Sequence, residues 1–297
     1  MINLISGFLN RISDFHGVSG MVNLPLLIAL SFFVGLLGAL TGLGGGSIIV
    51  PLLTLLGVPI KYAISTGMVI CIATSSGSSA SYVERELTNV RVAMYLEMFT
   101  VVGGIAGAVI TTLISAKLLY FFFAAFLMTS FLGLKGHIKK ELPQVEEQDG
   151  ASAWLSLKGS YYDEALAKRV EYKVTNAIPG GLGMFVAGLA AGMLGIGAGA
   201  FKVAVQELLL KMPSKVSSTT SNFIIGMTAL AGTTVYLTRG FIHLDLVAPI
   251  AVGTTLGAML GSRILNRFRN VTIRYLFLAV VLYVIVQMIY KGVMAPW

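Results

Sequence analysis

Apolar residues run in blocks along this chain. They cover about 24–41, 46–57, 62–82, 92–115 and 118–134, then, after a polar stretch from about 135 to 176, 178–194, 200–210, 216–238, 244–263 and 271–290. A helix needs roughly 20 apolar residues to cross a bilayer. Most runs come close to that length. The runs 46–57 and 200–210 fall well short, and their length predicts half-helices that stop inside the membrane. Each follows a glycine cluster, Gly42-Leu43-Gly44-Gly45-Gly46 in the first case and Gly195-Ile196-Gly197-Ala198-Gly199 in the second. In lipid every backbone N–H and C=O must be paired, so a broken helix survives only where protein buries the break or where it lines a cavity. One cluster alone reads equally well as close helix packing. Two clusters at matching places favour a polar site near the midplane.

The two halves of the pattern match. A shift of 153 residues places Gly35 on Gly188, Gly42 on Gly195, Gly44 on Gly197 and Gly46 on Gly199. A shift of 154 places Pro59 on Pro213, Lys61 on Lys215, Thr66 on Thr220, Tyr82 on Tyr236, Arg85 on Arg239, Gly103 on Gly257 and Gly107 on Gly261. The extra residue fits a small insertion in the second half-helix or the loop after it. The predicted organisation is an interfacial segment over 1–21, a transmembrane repeat over 22–134, a loop over 135–176 and a second repeat over 177–297. Within residues 1–16, Ile2, Ile5, Leu9 and Ile12 recur at helical spacing, which predicts a short helix lying in the interface. No long apolar core precedes a small-residue site there, so a cleaved signal peptide is not expected.

Charge gives the pattern a direction. If each glycine-broken pair enters and returns to its own side, 15 of the 21 Lys and Arg residues fall on the side of the 135–176 loop. Five (Arg11, Lys61, Lys117, Arg239 and Lys291) fall on the other, and Lys202 stays inside the membrane. The positive-inside rule makes the loop side cytoplasmic. Both termini then lie outside. An odd number of crossings per half gives the halves opposite orientation. The predicted fold class is an all-α integral membrane protein with two inverted-topology repeats, each a glycine-broken helical hairpin plus three transmembrane helices, as in many secondary transporters.

Composition agrees and excludes other classes. The chain is 56% hydrophobic and 11% charged, with mean hydropathy +0.85. That is the balance of a multi-pass membrane protein, not of a soluble domain. A formal net charge of +8, with no basic stripe interleaved with aromatics, bears on topology and lipid contact and not on nucleic acid. The single cysteine, Cys71, excludes an intramolecular disulfide and a cysteine metal cluster. His16, His137 and His243 share no metal-ligand spacing. No phosphate-loop motif is present, so no ATP motor lies in the chain. No nucleophile–base set points to an enzyme, and no cofactor is expected.

The candidate chemistry is anion binding. Half-helices that begin at the glycine breaks would bring free N–H groups and positive dipole ends to the midplane from opposite sides. The residues there are Gly44, Gly45, Gly46 and Ser47 in the first half and Gly197, Ala198 and Gly199 in the second. Lys202 lies just inside the second half-helix, where the first has Ile49. A lysine at that depth is costly unless it is paired, neutral or solvated by a polar cavity. It reads as an anion contact, against snorkelling or a structural pair with Glu97 or Glu207. Glu97 is the candidate proton carrier. Thr66, Ser75, Thr220 and Asn222 are polar positions facing the same region, with helix-packing glue as their competing role.

Gly-Leu-Leu-Gly-Ala-Leu-Thr-Gly-Leu-Gly-Gly-Gly-Ser at 35–47, followed by Pro51, Pro59 and Ser65-Thr66, resembles the signature of the TauE/SafE sulfite exporter family. Gly-Met-Leu-Gly-Ile-Gly-Ala-Gly at 192–199, followed by Thr219-Thr220-Ser221-Asn222, is similar to that family's second repeat. The resemblance spans 22–292. It implies secondary transport of sulfite, a sulfonate or a related organosulfur anion, moved outward and coupled to protons. A passive anion channel and an uptake permease for a small anion are the alternatives. The implied partners are the anion, protons and membrane lipid, with a homodimer an open expectation. The implied location is the inner or plasma membrane.

Overall fold

The computed structural model describes residues 24–41, 44–136, 148–163, 168–264, 282 and 285–294. The 1–21 segment, Gly42, Leu43, His16, His137, and most of the last predicted span and the loop before it lie outside the described residues. The chain is mostly helical. The first half folds as α1 (Leu24–Thr41), α2 (Gly46–Leu55), α3 (Ile60–Glu84), α4 (Val90–Leu113) and α5 (Ala116–Gly136). The second half folds as α7 (Ala177–Leu194), α8 (Gly199–Leu208), α9 (Ser214–Thr238) and α10 (Leu244–Ile264), with a further helix over Ile285–Met294. Three helices among the described residues are long and apolar enough to cross a membrane: Val90–Leu113, Ala177–Leu194 and Leu244–Arg263. They turn large apolar side chains outward, among them Met98, Val102, Leu182, Val186, Val252 and Leu256. Lipid is the medium that tolerates such a surface.

The helices pair reciprocally. The most extensive packing joins α1 to α10 and α4 to α7, and by the repeat these two pairs are equivalent. The same holds for α3–α10 and α9–α4, and for α2–α3 and α8–α9. The equivalence reaches single atoms. Tyr82 Oη donates to the Ala39 carbonyl at 3.3 Å, and Tyr236 Oη to the Gly192 carbonyl at 2.6 Å. Ser65 Oγ donates to the Phe241 carbonyl at 2.6 Å, and Thr219 Oγ1 to the Leu87 carbonyl at 2.7 Å. Each of those last two bonds ties the start of one long helix to the turn after the other, so α3 and α9 run antiparallel to each other. Small residues make the α1–α10 and α4–α7 contacts. A Cβ on Gly35 would strike the Thr254 backbone, and one on Gly188 the Thr100 backbone. Close packing is therefore what these glycines do.

The two 25-residue helices α3 and α9 occupy the middle. They carry more polar residues than the three apolar spans, and about half of their residues are buried. Some of their hydroxyls donate back into the helix, as Thr74 Oγ1 does to the Ile70 carbonyl and Thr228 Oγ1 to the Ile224 carbonyl, and others reach across to neighbouring segments. Pro59 and Pro213 cap the two helices in the same extended conformation. The turns before them match too, with Gly57 and Lys211 both left-handed at helix ends. The helices α2 and α8 still match at a shift of 153, so the inserted residue sits in the turn after α8.

The polar middle stretch corrects the all-α expectation. It contains a five-residue helix α6 (Gly150–Trp154) and an antiparallel hairpin, β1 (Lys158–Asp163) with β2 (Lys168–Lys173), in register Lys158↔Lys173. A run rich in Lys, Glu and Ser conceals this, because Tyr161 and Tyr172 supply the buried face along with Leu157 and Val174, against Val92, Ala93 and Leu96 of α4. Asp149 caps α6 through Ser152 N–H and also accepts from Thr175 Oγ1 at 3.2 Å and Asn176 N–H at 2.7 Å. Asn89 Nδ2 donates to the Tyr172 hydroxyl at 2.7 Å, which fixes the hairpin to the start of α4.

Candidate functional site: two glycine breaks and a buried lysine

The two glycine clusters meet. Gly44 and Gly197 are both left-handed, with φ of +78° and +68°. That conformation is nearly free only to glycine, and here it turns the chain from a long helix into a half-helix. A Cβ on Gly44 would lie 3.5 Å from both Cys71 Sγ and Ile225 Cγ2, and one on Gly197 would lie 3.2 and 2.9 Å from the same two atoms. Cys71 in α3 and Ile225 in α9 are themselves repeat partners. The breaks thus face each other across the crossing of α3 and α9. Cys71 joins them: its thiol donates to the Gly195 carbonyl at 3.9 Å, and a Cβ on Gly46 would lie 2.6 Å from its sulfur. Gly45 N–H donates to Thr74 Oγ1 at 3.3 Å. The N-terminal end of α2 therefore meets the second break, but a thiol and an isoleucine side chain pack the space between the two.

Ser47, Ser75 and Thr220 have partners close at hand. Ser47 Oγ donates to the Gly44 carbonyl at 3.0 Å. Ser75 Oγ donates to the Asn222 carbonyl at 2.6 Å, joining α3 to α9 beside the crossing. Thr220 Oγ1 accepts from Asn89 N–H at 3.1 Å, so it also secures the turn before α4. Thr66 is buried five residues before Cys71, about 7.5 Å along the helix. Thr66 and Thr220 lie on opposite sides of the crossing, because their helices are antiparallel. Gly199 begins α8, and its carbonyl accepts from Ser221 Oγ at 3.3 Å. Ala198, which stands where the first half has Gly45, is left-handed (φ +51°, ψ +31°) whereas Gly45 is right-handed (φ −64°, ψ −22°). The two breaks are equivalent in place and different in backbone.

Lys202 is fully buried, at 0% exposure. Its Nζ donates to Thr228 Oγ1 at 3.0 Å, and Thr228 passes its own proton to the Ile224 carbonyl. An ammonium has three donors, so two are left. Glu97 lies within electrostatic reach of Lys202 without forming an ion pair. The Glu97 Oε2 atom is sealed from solvent and has no hydrogen-bond partner. Thr228 packs against Gly104 of α4, two turns beyond Glu97, so Lys202 reaches into the seam between α4 and α9. One turn after Lys202, Gln206 is also 0% exposed, and neither its Nε2 nor its Oε1 has a partner among the described residues. Sequence reasoning missed Gln206, Cys71 and Ile225. An amide four residues after a lysine, in a short half-helix that is mostly apolar, is the signal that could have found Gln206.

Known proteins resemble this chain over nearly all of its helical body. The Sulfite exporter TauE/SafE family model matches residues 27–288. The chain is 25% identical over 276 residues to probable membrane transporter protein YunE of Bacillus subtilis (strain 168), covering 90% of this chain and 98% of that one. It is 27% identical over 252 residues to probable membrane transporter protein YdhB of the same organism, covering 84% and 93%. A probable membrane transporter protein of Methanocaldococcus jannaschii is 25% identical over 261 residues, covering 81% and 87%. No solved structure matches. With the family model covering nearly all of the helical body, the chain belongs to the TauE/SafE sulfite exporter family.

Proposed function

We propose that this protein is a secondary active transporter of the cell membrane that exports sulfite or a related sulfonate together with protons. The observation that carries the reading is Lys202: a buried cation with one hydrogen bond, just inside a helix start, in a family of membrane transporters. A helix N-terminus favours anions, and in low dielectric an unneutralised ammonium favours them more strongly still. Glu97, across the α4–α9 seam, is the carrier of the coupled proton. The antiparallel run of α3 and α9 and the reciprocal pairing of equivalent helices support two inverted repeats of 22–134 and 177–297. In such repeats, rocking about the crossing opens a central site to each side in turn. Purified protein in liposomes should move sulfite with saturation, and an imposed proton gradient should drive it. Flux linear in concentration and indifferent to the gradient would make the protein a passive channel.

A further inference from the structure

The space on the pseudo-symmetry axis is filled, by Cys71 and Ile225. A group of unsatisfied polar atoms lies to one side of it, at α8 and the facing part of α4. Lys202 and Gln206 are four residues apart on that helix, hence on one face. Helical side chains lean toward the helix N-terminus, so Gln206 lies over the turn that carries Lys202. Glu97 approaches the same lysine from α4. The first half has nothing like this: the positions equivalent to Lys202, Gln206 and Glu97 are Ile49, Leu53 and Ala251. A buried polar group without a partner is costly, and more so if charged. Two side chains at 0% exposure, one wholly unpartnered and the other with two idle donors, therefore point to a bound group.

The chemistry of the set defines that group. Lys202 Nζ and Gln206 Nε2 are donors; Glu97 Oε2 and Gln206 Oε1 are acceptors. A plain anion satisfies only the first pair. We infer that Lys202, Gln206 and Glu97 form a single off-axis seat for a small oxyanion that carries its own hydrogen-bond donor, as hydrogen sulfite does on its hydroxyl and an aminoalkylsulfonate does on its ammonium. The oxyanion rests between Lys202 and Gln206 Nε2, and its donor reaches Glu97. This rests on the transporter reading and deepens it, since it names the kind of anion that Lys202 holds and sets Glu97 against the anion's own donor.

Binding of three probes to the purified protein tests the seat: hydrogen sulfite at mildly acidic pH, 2-aminoethanesulfonate, and methanesulfonate, which has the shape and charge of hydrogen sulfite but no donor. A hydrogen bond to a charged group is worth about 1.5–3 kcal/mol, so at least one donor-bearing anion should bind about 10- to 100-fold more tightly than methanesulfonate. Whichever of the two wins identifies where the donor sits. In Glu97→Met that preference should fall to near unity, while Glu97→Gln, which keeps an acceptor oxygen, should retain part of it. Gln206→Met should weaken all three anions alike. Equal affinities for the three in the unaltered protein overturn the seat, and that comparison needs no substitution to fold. Anion binding that depends on Lys202 but is untouched by Gln206→Met and Glu97→Met overturns the seat and leaves the transporter reading standing. No binding of any anion removes both.

Discussion

Lys202 concentrates what this protein does differently from its own other half. Where the first repeat buries Ile49, the second buries an ammonium with Thr228 as its one hydrogen-bond partner. If the ammonium holds substrate, Lys202→Met should weaken sulfite binding by about 10- to 100-fold, the size of a charge-assisted hydrogen bond. Methionine keeps length and apolar bulk, so melting temperature should change little. Lys202→Arg keeps the charge and alters the donor geometry, and partial affinity should remain. Normal affinity in the methionine variant would take Lys202 out of the site. The residue was legible in the sequence because a lysine in a short apolar run has few places to go. Its partner was less so. That partner is a threonine hydroxyl, because Thr228 sits one turn along α9 from Ile225 and packs against α4, and no spacing along the chain records that. Gln206 and Cys71 were hidden for the same reason, as both matter through neighbours brought from the opposite repeat.

At the scale of elements, the half-helices and their glycine breaks were the most legible part of the fold. A shortened apolar run beside a glycine cluster has a direct physical cause in lipid. The role of each glycine was not legible, since packing and turning use the same residue. The structure separates them: Gly35, Gly103, Gly188 and Gly257 give room to a neighbouring backbone, whereas Gly44 and Gly197 turn the chain at positive φ. Valine at Gly44 or Gly197 would force a β-branched residue into the left-handed region, and at Gly197 it would also press on Ile225. Transport should fall steeply in both variants while protein still reaches the membrane. Unchanged uptake kinetics in both would return these glycines to a packing role. The hairpin was not legible, because its buried face amounts to two tyrosines and a few aliphatic residues among many charges. Its anchor is Asp149. Partial burial acts to raise that carboxyl, but hydrogen bonds from Ser152, Asn176 N–H and Thr175 outweigh it and hold the group below the usual carboxylate range. A depressed carboxyl stabilises the fold above its unfolded value and loses that contribution as pH falls through the folded one. Proteolysis within 148–176 should therefore accelerate on acidification below the ordinary aspartate range. Asp149→Asn, which cannot ionise, should flatten that dependence; an acid-induced rise of equal size in the variant would place the sensitivity elsewhere.

At the scale of the whole molecule, the expected orientation turns on the distribution of 15 against 5 basic residues. The hairpin adds weight to one face, since Lys158, Lys168, Arg169 and Lys173 are all exposed there together with the start of α4. In a Cys71-free background, an impermeant thiol reagent added outside intact cells should label a cysteine at position 293 and spare one at position 150. The reverse pattern would turn the molecule over. The repeat itself could be read from matched residues in the sequence, but the way its halves embrace could not, because a shift of 153 or 154 says which elements are alike and nothing about which ones touch.

The exchange of helices between halves has a consequence for how the protein is made. The glycine face of α1 finds its cover in α10, more than 200 residues later, and α4 waits for α7. During synthesis the first half must sit in the bilayer with two small-residue seams open, and those seams are seats for the wrong helix until the right one arrives. Neither half is an independent folding unit. Expressed as separate polypeptides cut within 137–147, the two halves should be degraded when made singly and rescue each other when made together. On the proposed inverted repeat, the ancestor implied by the duplication would have faced the same demand, and would have met it by inserting one short polypeptide into the membrane both ways up.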